Sequence, residues 1–386
     1  MRKRGRVLAP LFFIALLLAT AAVWHFLKPK QQQQSALALT RVHFSDLSGW
    51  NTNDPRDALA AFQRSCSVIA NLPAGAPLGA YAGSAGDWKP ACDAAARADT
   101  NAARDFFEQW FAPVAVNGDG LFTGYYEPEL QGSIARHGRY QTPVYGLPSD
   151  LVTVDLGRFR DTLKGQEVTG RVENHMLLPY PSRGEIDLGG LTTAPVLFYG
   201  DDPVAVFFLH IQGSGRIAFD DGTRARVAYA GQNGRPYTAI GRTLIAEHQL
   251  EKANVSLQTI RAWLRAHPDR AQAVMDSDAS FIFFKLVPEG DPSLGAVGTE
   301  GVPLTPDASI AVDGSEHPLG APFFLVTSGG IKKLFVAQDT GGAIKGQARA
   351  DIFFGFGARA EDAAGHMKQS GRLYVLLPKP VAERLP

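Results

Sequence analysis

The sequence predicts a mainly β protein with some α-helix, its strands gathered into small barrels. Short runs of β-branched and aromatic residues recur along the body, set apart by turns drawn from 40 glycines, 25 prolines and many aspartates. Helical periodicity is confined to a few stretches. Phe219-Asp-Asp-Gly-Thr223 is a hairpin signature, because Asp-Gly supplies the positive φ that a tight turn needs.

At the start of the chain, Met1-Arg-Lys-Arg-Gly-Arg6 is basic, and residues 7–27 carry no acidic or basic side chain other than His25. An apolar helix of about 20 residues matches the hydrocarbon thickness of a bilayer, and the positive cluster before it keeps the N-terminus cytoplasmic. Residues 1–30 therefore read as an N-terminal transmembrane anchor or a signal segment. The apolar run exceeds the about 7–15 residues of a secretory core, whereas Ala19-Thr-Ala21 offers a small-residue cleavage site. Residues 31–45 read as a polar tether, opening on the glutamines at 31–34. The chain has 38 basic and 38 acidic residues, and without the six basic residues up to Lys30 the exported body holds 32 against 38. A mildly acidic body with no basic stripe argues against nucleic acid as a partner.

Apolar spacing predicts helices at 55–69 (Leu59, Phe62, Cys66, Ile69), at 91–111 (Phe106, Phe107, Trp110), and in two pieces across 239–267 (Ile240, Leu244, Ile245, then Leu257, Ile260, Trp263, Leu264). Strands are expected at 121–126, 141–145, 196–199, 204–212, 215–219, 224–229, 281–286, 309–312, 323–325, 333–337 and 373–377. The hairpin-rich, helix-poor centre, residues 128–279, reads as a domain inserted into another made of residues 46–127 and 280–380. Cys66 and Cys92 flank a loop rich in Gly, Ala and Pro in the exported part and form a candidate disulfide, worth about 3 kcal/mol, the alternative being two free buried thiols. No Cys/His cluster has metal-ligand spacing, so no metal is expected, and no cofactor is called for.

The acids that stand out are Asp339, in Asp339-Thr-Gly-Gly-Ala-Ile-Lys-Gly346, and Asp351, in Asp351-Ile-Phe-Phe-Gly-Phe-Gly357. Glycine-rich turns fix a carboxylate on shaped backbone; the plainer alternative is that both aspartates cap turns. Phe122-Thr-Gly-Tyr-Tyr-Glu-Pro128 places Thr123, Gly124, Tyr125 and Tyr126 at a strand end, where tyrosine faces and a hydroxyl suit sugar rings or, equally, a packed core. In His210-Ile-Gln-Gly-Ser-Gly-Arg216 no helix follows the Gly-x-Gly, which excludes a dinucleotide site and leaves Gln212, Gly213 and Ser214 as candidates for polar ligand contacts. Asp339-Thr-Gly is also an aspartic-protease signature, but no second copy exists in the chain, so that reading requires a dimer, and Gln338 stands where an apolar residue is expected.

Taken together, Phe122-Thr-Gly-Tyr-Tyr126, Gln212-Gly-Ser-Gly215, Tyr229-Ala-Gly-Gln-Asn-Gly234, Tyr237-x-x-Ile-Gly241, Ser280-Phe-Ile-Phe-Phe-Lys285, Asp339-x-Gly-Gly-Ala-Ile-Lys-Gly346 and Asp351 with Gly355-x-Gly357 resemble the membrane-bound lytic murein transglycosylase A family, over residues 118–379. The resemblance implies a double-psi β-barrel domain built from two separated segments, with an inserted second small β-barrel. It places the family's three aspartates on Asp313, Asp339 and Asp351, with Asp351 as the catalytic acid and Thr123 lining the glycan groove. This chain departs from the family in having an apparent anchor in place of a lipoprotein cysteine, and one additional residue between Asp339 and Asp351.

The implied activity is cleavage of the MurNAc-β-1,4-GlcNAc bond of peptidoglycan with formation of a 1,6-anhydromuramic end, using one carboxyl as acid and then base. Asp351 then needs a raised pKa, for which Phe353, Phe354 and Phe356 offer an apolar surround and Asp339 a like charge, with Asp313 and Asp339 holding and tuning it. The implied partners are peptidoglycan glycan strands, the bacterial membrane through the N-terminal segment, and cell-wall synthases, in the envelope of a Gram-negative-type bacterium with the body in the periplasm. The alternatives are a non-catalytic peptidoglycan-binding scaffold, a hydrolytic glycosidase and a dimeric aspartic protease.

Overall fold

The computed structural model describes residues 38–385. The anchor expected at 7–27 lies outside them, and among the described residues no helix is long and apolar enough to cross a membrane. The strands in chain order are β1 (Leu39–Arg41), β2 (Phe111–Glu127), β3 (Glu129–Ser133), β4 (Thr142–Tyr145), β5 (Val152–Asp155), β6 (Glu167–Glu173), β7 (Met176–Pro179), β8 (Val196–Gly200), β9 (Gly215–Phe219), β10 (Arg224–Gln232), β11 (Ile282–Val287), β12 (Ser309–Val312), β13 (Pro322–Thr327), β14 (Lys332–Thr340), β15 (Arg349–Phe356) and β16 (Lys368–Pro378). The α-helices are α1 (Arg56–Asn71), α2 (Ala85–Ala95), α3 (Ala103–Trp110), α4 (Arg183–Gly189), α5 (Pro203–Gln212), α6 (Ile240–Ala246), α7 (Leu257–Ala266), α8 (Pro268–Asp276), α9 (Gly357–His366) and α10 (Lys379–Ala382).

Strands β2, β15, β12, β14, β13 and β16 bond in that order, and β16 pairs back onto β2, so the sheet closes into a barrel with β1 added beside β2. The 17-residue β2 makes closure possible: β16 runs antiparallel along most of it, while β15 lies parallel to its last part, from Leu121 on. Alternate residues point inward, and Val114, Phe323, Leu325, Leu334, Val336, Leu373 and Val375 are fully buried there. Against this barrel, Phe62 of α1 meets Trp88, Phe106, Phe107 and Phe111 with ring centroids 5.4–6.4 Å apart, and a Cys66–Cys92 disulfide ties α1 to α2. The single helix expected at 91–111 is instead α2 and α3. They are divided by a 3₁₀ turn at Thr100–Ala102, which Asp99 caps through the Asn101 N–H.

The second sheet has the order β11-β10-β9-β3-β8-β4 and curls until Gly146, just past β4, bridges to Phe284 of β11. Its core joins Leu130, Val144, Phe198, Ile217, Val227 and Phe284 to Val206 and Leu209 of α5. Here the expected strand at 204–212 is corrected: the segment is helix α5. Pro203 opens it, Asp202 accepts the Val204 N–H at 2.8 Å, and Gly213 closes it with φ +79°. Apolar residues surround this helix on all sides, so it has no polar face from which to read a 3.6-residue period. The centre is not helix-poor either, since α4 to α8 all lie within it, and Phe207, Leu244, Trp263, Leu264, Val274 and Met275 form a further core. The small sheet β5-β6-β7 had no counterpart in the sequence reading; its tight turn uses Asn174 and His175, both at positive φ, without a glycine to announce it.

A buried charge cluster joins the two barrels. Glu127, at the end of β2 and fully buried, meets Arg216 of β9 at 3.1 Å and Arg226 of β10 at 3.6 Å. Both arginines also donate to carbonyls of the 291–295 segment. Arg216 further lies 3.4 Å from the ring centroid of Phe356, so the end of β15 is fastened to the second barrel.

Candidate active site

Strand register assembles the site. In β15, Asp351 stands opposite Thr123 of β2 on one side and Ala311 of β12 on the other. Asp339 of β14 pairs with the same Ala311, just past a bulge. Residues in register share a sheet face, so the two carboxylates and the threonine come together at one level across four strands.

The partners of the two acids differ. Asp339 accepts from the Thr299 N–H (3.0 Å), the Thr299 hydroxyl (2.9 Å), the Tyr125 hydroxyl (3.0 Å) and the Thr340 N–H. Burial raises its pKa, and those donors work against the rise. Asp351 accepts from one hydroxyl, that of Thr123, at 2.5 Å. Its pKa is raised first by burial and further by Asp339, against the pull of Thr123 and of Arg349. Burial thus raises both carboxyls, and Asp339 has four donors opposing the rise where Asp351 has one.

Asp313 sits elsewhere in the network. Fully buried beyond the end of β12, it accepts from the Ser315 hydroxyl (2.7 Å), the Ser315 N–H (3.2 Å) and the Gly346 N–H (2.8 Å), with Lys345 at 3.6 Å. Burial alone would raise its pKa, but these donors and the lysine hold it below the ordinary range. Its bonds therefore brace the Gly-Gly-Ala-Ile-Lys-Gly turn, where Gly346 needs φ +106°.

Strand alternation sorts the remaining candidates. Thr123 and Tyr125 face the acids, whereas Gly124 faces α9: a Cβ there would lie 2.4 Å from Phe354 and 3.0 Å from the Ala364 Cα. Gln212 uses its side-chain oxygen to accept the Tyr126 N–H at 3.1 Å, which ties the end of α5 to β2; Gly213 serves as the α5 cap, and half-buried Ser214 follows it. Of the phenylalanines expected around Asp351, Phe353 shares its strand face and packs on Tyr125 at 5.2 Å. Phe354 lies under Gly124 and Phe356 under Arg216. Gln338 is buried because its amide donates to Ala61 O and Ser65 Oγ and accepts from Ser309, which locks α1 onto β14.

Three residues near the acids had no assigned role from sequence. Thr299 supplies two of the Asp339 donors from a segment with no regular structure and no motif around it. Arg349 donates to Thr123 at 2.7 Å. Tyr237 approaches from the second barrel, ahead of α6; enclosure of its hydroxyl, then the Asp278 and Asp351 carboxylates, push its phenol up to about 12. The only hint of Tyr237 in the sequence was its place in a motif. Among the described residues no group of His, Cys, Asp and Glu could hold a metal ion.

The comparisons with known proteins match this architecture. The MltA specific insert domain model matches residues 121–285, and the 3D domain model residues 308–377. Membrane-bound lytic murein transglycosylase A of Escherichia coli is 34% identical over 299 residues, covering 74% of this chain and 73% of that protein. Among solved structures, a membrane-bound lytic murein transglycosylase from Agrobacterium tumefaciens superposes with a TM-score of 0.81 at 32% identity, covering 90% of this chain and 99% of that one. The Escherichia coli MltA structure with bound chitohexaose gives a TM-score of 0.59 at 27% identity, with 90% and 93% covered. By this identity and coverage, the chain belongs to the membrane-bound lytic murein transglycosylase A family.

Proposed function

We propose that this protein is a lytic transglycosylase of peptidoglycan that cleaves the MurNAc-β-1,4-GlcNAc bond without water and leaves a 1,6-anhydromuramic end. The observation that carries this reading is the pairing of a half-buried carboxyl with one hydroxyl donor, Asp351, beside a second held by four donors, Asp339. The family's name and the chitohexaose bound by its Escherichia coli member support a glycan as the substrate.

In the reaction Asp351 gives its proton to the glycosidic oxygen as the bond from C1 to that oxygen breaks, and the sugar's acetamido group stabilises the positive charge left on C1. The muramic 6-hydroxyl then closes on C1, forming the C1–O6 bond, and its proton passes to the Asp351 carboxylate. The acid is regenerated, so one carboxyl does what hydrolytic glycosidases divide between two. Asp339, ionised and fixed, keeps Asp351 protonated between turnovers. Thr123, Tyr125, Gln212 and Ser214 would border the bound strand, and Asp313 would hold the turn between the two acids. The double-psi form of the first barrel, its assembly from two separated stretches of chain, attachment to the membrane through residues 7–27, and work beside cell-wall synthases in the periplasm are the matching proposals for its build and setting.

The test is mass spectrometry of soluble products after the purified full chain, or its Asp351→Asn variant, is incubated with peptidoglycan sacculi. Muropeptides about 18 Da lighter than muramidase products, lost in the variant, are expected. Reducing-end products mean hydrolysis, and products from neither protein favour a binding scaffold.

A further inference from the structure

Arg349 and Asp351 lie two residues apart on β15 and so on one face, and both lean on β2, Arg349 paired with Leu121 and Asp351 with Thr123. The Arg349 guanidinium is anchored at Nη1 to the Ala350 and Leu121 carbonyls, at 2.6 and 3.2 Å, and its Nη2 donates to Thr123 Oγ1 at 2.7 Å. A guanidinium only donates, so the threonine oxygen is an acceptor on that side. A threonine hydroxyl has one hydrogen, and among the described residues its sole hydrogen-bond acceptor is Asp351 Oδ1.

We propose that Arg349 is a positioning residue for the proton transfer: it fixes the Thr123 hydroxyl so that its hydrogen points at Asp351 Oδ1, which leaves Oδ2 as the oxygen that carries the acid proton. Were that proton on Oδ1, the Thr123 hydrogen would meet a hydroxyl oxygen, a poorer acceptor than a carbonyl oxygen, and two hydrogens would crowd one short contact. A carboxyl whose proton is confined to one oxygen presents it to the glycosidic oxygen in one direction, where a free carboxyl divides it between two. This rests on Asp351 as the acid of the proposed reaction. The groups that face its carboxyl are Arg349 on its own strand, Thr123 and Tyr125 from β2, Asp339 across β12, and Tyr237 from the second barrel. Of these Arg349 is the cation, so its charge and its orienting bond are separable by substitution.

The experiment measures kcat, KM and the pH–rate profile of the full chain on soluble glycan strands for Arg349→Met, Arg349→Lys, Thr123→Val and the Arg349→Met/Thr123→Val double variant, with chitohexaose affinity and thermal midpoint as checks on folding. Arg349→Met is expected to lower kcat by about tenfold to a hundredfold with KM within about twofold. Loss of the cation also removes a pull on the Asp351 proton, so the alkaline limb moves to higher pH. Arg349→Lys keeps the charge and loses the fork, so its limb stays near that of the parent while kcat falls part of the way. The double variant is expected to lose no more than the worse single one, because both act through one hydrogen. Additive losses, or a fall in Arg349→Met that is even at all pH values with an unmoved limb, overturn the proposal. Activity of Asp351→Asn within about tenfold of the parent overturns instead the choice of acid, a separate failure.

Discussion

Asp351 and Asp339 are both half-buried, and what separates them is the number of hydrogens aimed at each. Asp339 receives four and Asp351 one. If Asp339 keeps Asp351 protonated by its charge, neutralising it lets Asp351 ionise more readily, and the acid form is lost at lower pH. Asp339→Asn is therefore expected to move the alkaline limb of the pH–rate profile downward and to cut kcat at neutral pH by about tenfold or more. A profile that keeps its alkaline limb removes Asp339 from this role. The sequence singled out Asp339 and Asp351 by their glycine-rich surroundings and Thr123 and Tyr125 by a strand-end motif, and the structure brings these four side chains together. It did not show Thr299 or Arg349, because neither stands in a pattern that announces a donor, and their importance arises only when β2, β14 and β15 come into register.

At the scale of an element, β2 does two jobs with its two faces. Its odd-numbered residues Thr123 and Tyr125 serve the acids, and Gly124 and Tyr126 receive α9. Gly124→Ala would force a methyl group against the Phe354 ring and the Ala364 backbone, and is expected to cost about 1–3 kcal/mol, read as a lower thermal midpoint. A midpoint equal to that of the parent would mean that α9 shifts freely. A glycine beside a threonine and two tyrosines reads in sequence as part of a ligand surface, and the strand's two-residue period was the clue to its opposite role. The same limit applies to α5, where burial on every side erased the helical period and left Pro203 and Gly213 as the surviving punctuation. In the closed barrel, β12, β13, β14 and the end of β16 were legible as apolar runs because both their faces are buried, whereas β15, with glycine in its run, read as a turn, and the first half of β2 went unread.

Across the whole molecule, the helices α1 and α2 are stapled outside the barrel by the Cys66–Cys92 disulfide, which closes a loop spanning 26 residues. Replacing both cysteines by alanine is expected to lower stability by about 3 kcal/mol, checked by chemical denaturation under non-reducing conditions. A change below about 1 kcal/mol would place that stability in the aromatic cluster around Phe62 instead.

The separation of 228 positions between Thr123 and Asp351 also sets an order of events during synthesis. A chain made from its N-terminus produces β2 early, and the strands of the second sheet, up to Val287, arrive while β2 still lacks β15 and β16. That sheet has all its partners within its own stretch and can close first. The acid, its threonine and its neighbouring aspartate meet only when the last strands dock. On the proposed function, the site that cuts peptidoglycan stays incomplete until the last strands dock, and a chain that stops short of β15 lacks the acid altogether.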